Sequence, residues 1–161
     1  MNLSEKKKHE TAYQDLRRRI LALRPEEIGI SLEKDSEVYA ALVDFKVPSG
    51  AVSLACLLDG TVSFYYSLGG GMLGMGQKYE QVRKAGLALL ASAGQTLAFL
   101  QPAMGFALSE EPCSIFLLAK NCIYRADFSM DEMERQPRHI QLLNLLIQNT
   151  LKSLRAHSDE R

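Results

Sequence analysis

The residues that most suggest chemistry lie in one glycine-rich stretch, Leu68–Gln77, with five glycines in eight positions. Gly69-x-Gly71-x-x-Gly74 has the spacing of the dinucleotide fingerprint, in which bare backbone and a helix N-terminus cradle a pyrophosphate. That fingerprint needs a parallel strand before it, a helix directly after it and an acidic residue ending the next strand. Here the preceding strand closes a hairpin, Gly76 lies two residues past Gly74, and no acidic residue stands at the required place. Gly71-x-x-x-x-Gly76-Gln77-Lys78 comes close to a phosphate-binding loop, but Gln77 occupies the lysine position and Lys78 the hydroxyl position. Two readings remain. One is a nest of backbone N–H groups that binds an anion or small ligand, lined by Ser67, Gly70, Gly71, Gly74, Gly76, Gln77 and Lys78. The other is mechanical: glycine allows close backbone approach, so the stretch drops a buried helix onto the sheet.

The other reactive residue types form no constellation. His9, His139 and His157 are far apart in sequence, and none pairs with a cysteine at metal-ligand spacing. Cys56, Cys113 and Cys122 sit in apolar strand patterns that favour inert, reduced thiols. Asp44 with Lys46, and Arg125 with Asp127, share strand faces and read as ordinary surface or edge charges. Tyr65 and Tyr66 read as one core and one surface aromatic. No catalytic residue, metal site or cofactor is expected.

The elements that must position these residues follow from periodicity. Residues 4–23 carry Ala12, Tyr13, Leu16, Ile20 and Leu23 on one helical stripe, with Ser4 as candidate N-cap and Pro25 as the stop. Lys6–Lys8 and Arg17–Arg19 fall mostly off the stripe and read as a solvated face, or as docking charges for an acidic partner. Residues 37–47 alternate as a strand with one wetter face, 51–58 form a second, and Asp59-Gly60 is a hairpin turn into a third over 61–68. Residues 78–101 form a helix apolar on most sides, with Ala85, Gly86 and Ala93 allowing close approach to the sheet. A loop over 102–112 leads to strands at 113–119 and 122–128. Ser129-Met130-Asp131-Glu132 has the form of a capping box, and from Pro137 to about Arg155 a wide apolar stripe marks the last helix. Leu145 falls near its polar side.

The expected fold is α+β: a single antiparallel sheet of about five strands covered by three helices, in the order α-β-β-β-α-β-β-α. Its style is that of profilin-like and roadblock-like modules, by analogy of architecture. The 161 residues form one domain, 1–161, with residues 1–3 and 156–161 as frayed ends. Nineteen basic and 19 acidic residues balance, which argues against nucleic-acid binding and against binding to anionic membranes by charge. The N-terminus lacks the apolar segment of a signal peptide, and no apolar run reaches the ~18 residues that span a bilayer. A cytoplasmic location is the expectation.

The run from Asp59 to Gly76, followed by Val82-Arg83-Lys84-Ala85, resembles a pattern in small bacterial proteins of uncharacterised function. In these, a D-G-T-x-S-x-Y-x-S strand enters a G-G-G-x-x-G-x-G loop and then a helix. The resemblance covers roughly residues 59–90. It implies a bacterial protein in which strand, loop and helix act as one unit, and it implies no catalytic residue. The function expected is a non-enzymatic protein-interaction module, an adaptor or an immunity-type protein. It would bind a protein partner or a second copy as a homodimer, through Leu145 and the apolar strand 113–119. The alternative is a small-ligand or anion-binding domain using Gly69–Lys78.

Overall fold

The computed structural model describes residues 1–158. The strands are β1 Val38–Val47, β2 Gly50–Leu57, β3 Val62–Tyr66, β4 Gly71–Met72, β5 Gln101–Pro102, β6 Cys113–Ala119 and β7 Ile123–Phe128. They form one antiparallel sheet of seven strands in the order β4-β3-β2-β1-β6-β7-β5. The helices are α1 Leu3–Leu21, α2 Met75–Lys78, α3 Glu80–Ala93 and α4 Arg138–Ala156, with 3-10 turns at Pro25–Ile28, Gly94–Phe99 and Met130–Arg135.

The α+β class and the single antiparallel sheet are those the sequence implies. The strand number is not: seven strands replace about five, because β4 and β5 each add a two-residue edge. Two residues are too few to show an alternation, so only the pairing of Gly71 with Tyr65 and of Gln101 with Arg125 reveals these strands. Three helices also become four. Tyr79, in extended backbone with φ −128° and ψ 120°, divides α2 from α3, and the expected helix tail continues as a 3-10 turn.

Both faces of the central strands are covered. On one face Ala41, Val43, Leu54 and Leu117 meet Val82 and Leu89 of α3 and Ile140, Leu143 and Ile147 of α4. On the other, Leu42, Ala55, Phe116 and Leu118 lie in the cluster that contains Tyr13 of α1. This double cover corrects two expectations. The expected wetter face of β1 is wet only at its end: Ala40, Leu42 and Asp44 are buried, while Lys46 is exposed. Strand 113–119 offers no partner surface, since each of its residues is buried.

Close packing of α3 depends on Gly86, where an added Cβ would lie 2.5 Å from Cγ2 of Val62. The caps also differ from expectation. Asn2, not Ser4, caps α1: its Oδ1 accepts the Glu5 N–H at 2.8 Å, and Glu5 Oε2 accepts the Asn2 N–H at 3.2 Å. Ser129 makes no side-chain cap, because its segment closes as a 3-10 turn in which its carbonyl accepts the Glu132 N–H at 3.1 Å. Near the C-terminus His157 stacks on Tyr79 at 3.9 Å. Of the expected frayed tail, residues 159–161 lie outside the described residues.

Candidate functional site

A polar row crosses the α1 face of the sheet. Tyr65 of β3 opposes Ser53 of β2, Ser53 opposes Asp44 of β1, Asp44 opposes Ser114 of β6, and Ser114 opposes Asp127 of β7. Residues directly opposite one another across antiparallel strands share a face, so all five lie on one side of the sheet. The first four are at most 3% exposed. A buried polar group is most stable with partners; the Ser53, Asp44 and Ser114 side chains have them, while the Tyr65 hydroxyl has none among the described residues. Ser53 Oγ donates to Asp44 Oδ1 at 2.5 Å, and Ser114 Oγ donates to Asp127 Oδ1 at 2.5 Å. Having given its single proton to Asp44, Ser53 accepts from the Tyr13 hydroxyl at 2.7 Å.

Two arginines complete the row. Arg17 of α1, 3% exposed, donates from Nη2 to Asp44 Oδ2 at 2.6 Å and from Nε to both carboxylate oxygens at 3.2 Å. Arg125 of β7 donates to Asp127 Oδ1 at 3.1 Å. The Phe116 ring lies between them, 5.8 Å from the Arg17 guanidinium and 4.7 Å from that of Arg125. These positions correct the reading of Asp44 as a surface charge and of Arg17 as part of a solvated face. A signal for Arg17 was present: it lies four residues after Tyr13, one helical turn along the buried stripe.

The same arginines hold the loop between β5 and β6. Arg125 donates from Nη1 to the Gly105 carbonyl and from Nη2 to the Ala107 carbonyl, each at 2.8 Å. Arg17 Nη2 donates to the Phe106 carbonyl at 2.8 Å. Three consecutive carbonyls are thus tied to the polar row by charge-assisted hydrogen bonds. The far end of the loop is tied to β1, where the Lys46 N–H donates to the Pro112 carbonyl at 2.9 Å and Lys46 Nζ pairs with Glu110 at 2.9 Å. That pairing draws the Glu110 carboxyl below its ordinary pKa. The loop's apolar side chains remain outside: Met104 is 99% exposed, Phe106 46% and Leu108 37%. The sequence reading treats 102–112 only as a connector, although this alternation of apolar residues between two prolines is visible in it.

The row is chemically quiet. Burial pushes the Tyr13 phenol up to about 12, so it keeps its proton at neutral pH. Arg17 and Ser53 occupy the Asp44 oxygens. The cavity beside Asp44, bordered by Glu10, Lys46, Ser67 and Glu111, has a volume of about 130 Å³. That is room for about four waters at their share of liquid volume. The row therefore supports a helix and a loop.

The glycine stretch does not converge on a ligand position. Ser67 is buried, and its Oγ accepts the Ala51 N–H at 2.9 Å. Gly70 turns the chain, and Gly71 belongs to β4. The Gly74 N–H donates to Ser63 Oγ at 3.0 Å. Gly76 presses on the preceding hairpin, where a Cβ would lie 1.9 Å from the Gly60 carbonyl oxygen. Gln77 donates to Thr61 Oγ1 at 2.5 Å, and the Lys78 ammonium lies 5.2 Å from the Tyr79 ring. The helix that follows, α2, has four residues.

Leu145 is 55% exposed on α4, one turn from Leu142 at 42%. Burial raises the Cys56 and Cys113 thiols to about 12, while Cys122 is half-buried; all three are free. Among the described residues no group of three or more His, Cys, Asp or Glu is placed to hold a metal ion, and no helix is long and apolar enough to cross a membrane. The chain matches no family model, no curated protein and no solved structure.

Proposed function

We propose that this protein is a non-enzymatic protein-interaction module of the bacterial cytoplasm, of the adaptor or immunity kind, that presents the loop 103–112 to a protein partner. One observation carries the reading. Arg17 and Arg125 hold three consecutive loop carbonyls, while Met104, Phe106 and Leu108 face solvent. Apolar side chains on a backbone already fixed lose less conformational freedom on binding than those on a mobile loop. Three free cysteines suit a reducing compartment. The resemblance of residues 59–90 to a bacterial pattern supports the source.

The test compares wild-type bait with Met104→Ser/Leu108→Ser, then measures affinity for the purified partner. Both side chains are exposed, so the fold should survive. The expected loss is about 30-fold, the effect of a lost hot spot of about 2 kcal/mol. A partner that binds both baits equally sinks the loop as the docking surface.

A second reading, self-association through α4, is favoured by the adjacent exposure of Leu142 and Leu145. Light scattering at high concentration tests it: a dimer lost in Leu145→Ser supports it, and a strict monomer removes it. An anion site on Gly69–Lys78 is the weaker alternative, because Ser67, Gly74 and Gln77 already spend their polar groups within the chain.

A further inference from the structure

The face of the sheet opposite α1 carries a second feature that the interaction reading does not use. Between the open end of β1–β4 and the last turns of α4 lies a cavity of about 510 Å³. That volume falls within the range of about 300–1,000 Å³ typical of small-molecule sites. Its walls are apolar: Phe45 and Val52 come from β1 and β2, Phe64 and Tyr66 from β3, Met72 from β4 and Leu151 from α4. Phe64 and Tyr66 meet edge-to-face at 5.1 Å, giving one wall a fixed shape. Met72 and Met130 contribute unbranched, adaptable side chains.

The polar groups lie to one side. Gln148, Arg155 and Ser158 belong to α4 and the residues after it, and among the described residues no acidic side chain lines the cavity. Arg155 is exposed and makes no ion pair among the described residues. The cavity thus joins an apolar volume to a guanidinium that pairs with no acidic side chain among the described residues. A peptide is a poor match. Its backbone would bring an N–H and a C=O at nearly every residue, and the apolar walls offer them no partners. An alkyl chain has no such need, and a terminal carboxylate would pair with the guanidinium.

We propose that this cavity binds an anionic amphiphile of the fatty-acid class, with its alkyl chain between the β3 aromatics and α4 and its carboxylate on Arg155. The site lies on the other side of the sheet from the loop 103–112 and does not depend on that loop's function. The probe is dodecanoate, titrated below its micellar range into the full chain by calorimetry, with dodecanol as the neutral control.

Saturable 1:1 binding of dodecanoate is expected, with affinity falling about tenfold in Arg155→Gln. Met130→Trp is expected to block entry, and because Met130 is 50% exposed this change leaves the core intact. Dodecanoate should also raise the melting temperature of the wild type and not that of Met130→Trp. No binding by the wild type overturns the proposal, as does binding unaffected by Met130→Trp. Equal affinity for dodecanol and dodecanoate, or an Arg155→Gln variant that binds like wild type, overturns the carboxylate pairing and with it the ligand class.

Discussion

Replacing Asp44 by alanine tests the role of the polar row most directly. The change removes a carboxylate that accepts three N–H···O contacts from Arg17, at 2.6, 3.2 and 3.2 Å, and the Ser53 hydroxyl at 2.5 Å. Arg17 stays buried with its charge, left with Gln14 Oε1 at 3.3 Å and the Phe106 carbonyl at 2.8 Å. Breaking a buried pair in this way costs about 3–5 kcal/mol, most of it the stranded charge. At about 2–4 °C per kcal/mol for a chain of this size, the melting temperature should fall by about 6–20 °C. Urea unfolding followed by far-UV circular dichroism gives the free energy, since the chain has no tryptophan to report it. Arg17→Met/Asp44→Leu separates the stranded charge from the pair itself: two apolar residues of similar size should recover most of the loss. The damage should also be local. Tyr13 and Arg17 are the buried residues of α1, so in Asp44→Ala the amides of α1 and of 103–112 should exchange faster than those of β1, β2 and β6. A single variant within about 1 kcal/mol of wild type, or a cycle showing no coupling above about 0.5 kcal/mol, would refute the assignment of the pair as the clamp of α1.

Three further outcomes follow from the same geometry. The folded Tyr13 phenol has a pKa of about 12 against 10.0 for the free side chain, so its stabilising contribution is complete below pH 10 and is lost as pH rises towards 12; the urea midpoint should drop over that window, less steeply in Tyr13→Phe. With a thiol reagent near pH 8, half-buried Cys122 should label first, while Cys56 and Cys113 wait for unfolding; three equal rates would contradict their burial. Gly76→Ala would set a methyl group 1.9 Å from the Gly60 carbonyl oxygen, a backbone atom that yields little, and should lower stability by about 1–3 kcal/mol or more by urea titration; a neutral result would show that the glycine stretch is not a packing joint.

Much of the architecture follows from the sequence because it is local. Alternation marks β1, β2, β3 and β7, a nearly continuous apolar run marks β6, Asp59-Gly60 marks a hairpin, and three- and four-residue spacing marks α1, α3 and α4. These signals arise within one element, where a side chain's direction is set by its own backbone. The exposure of Leu145 is legible for the same reason, whereas alternation does not say which of Tyr65 and Tyr66 is buried. What surrounds an element is not local. Ala40, Leu42 and Asp44 on the expected wetter face of β1 are buried because α1 crosses them, and no residue of β1 reports that crossing. Asp44 becomes half of a buried ion pair only when Arg17, 27 residues away, arrives over it. The loop 103–112 gains its hold from Arg17 and Arg125, brought together by the β1–β6–β7 register. The cavity by Arg155 exists only where α4 ends against the rim of the sheet. Sequence therefore determines the periodic elements, through the geometry of single helices and strands. Tertiary structure alone decides which polar groups lose water and must find partners, because burial belongs to surfaces in contact.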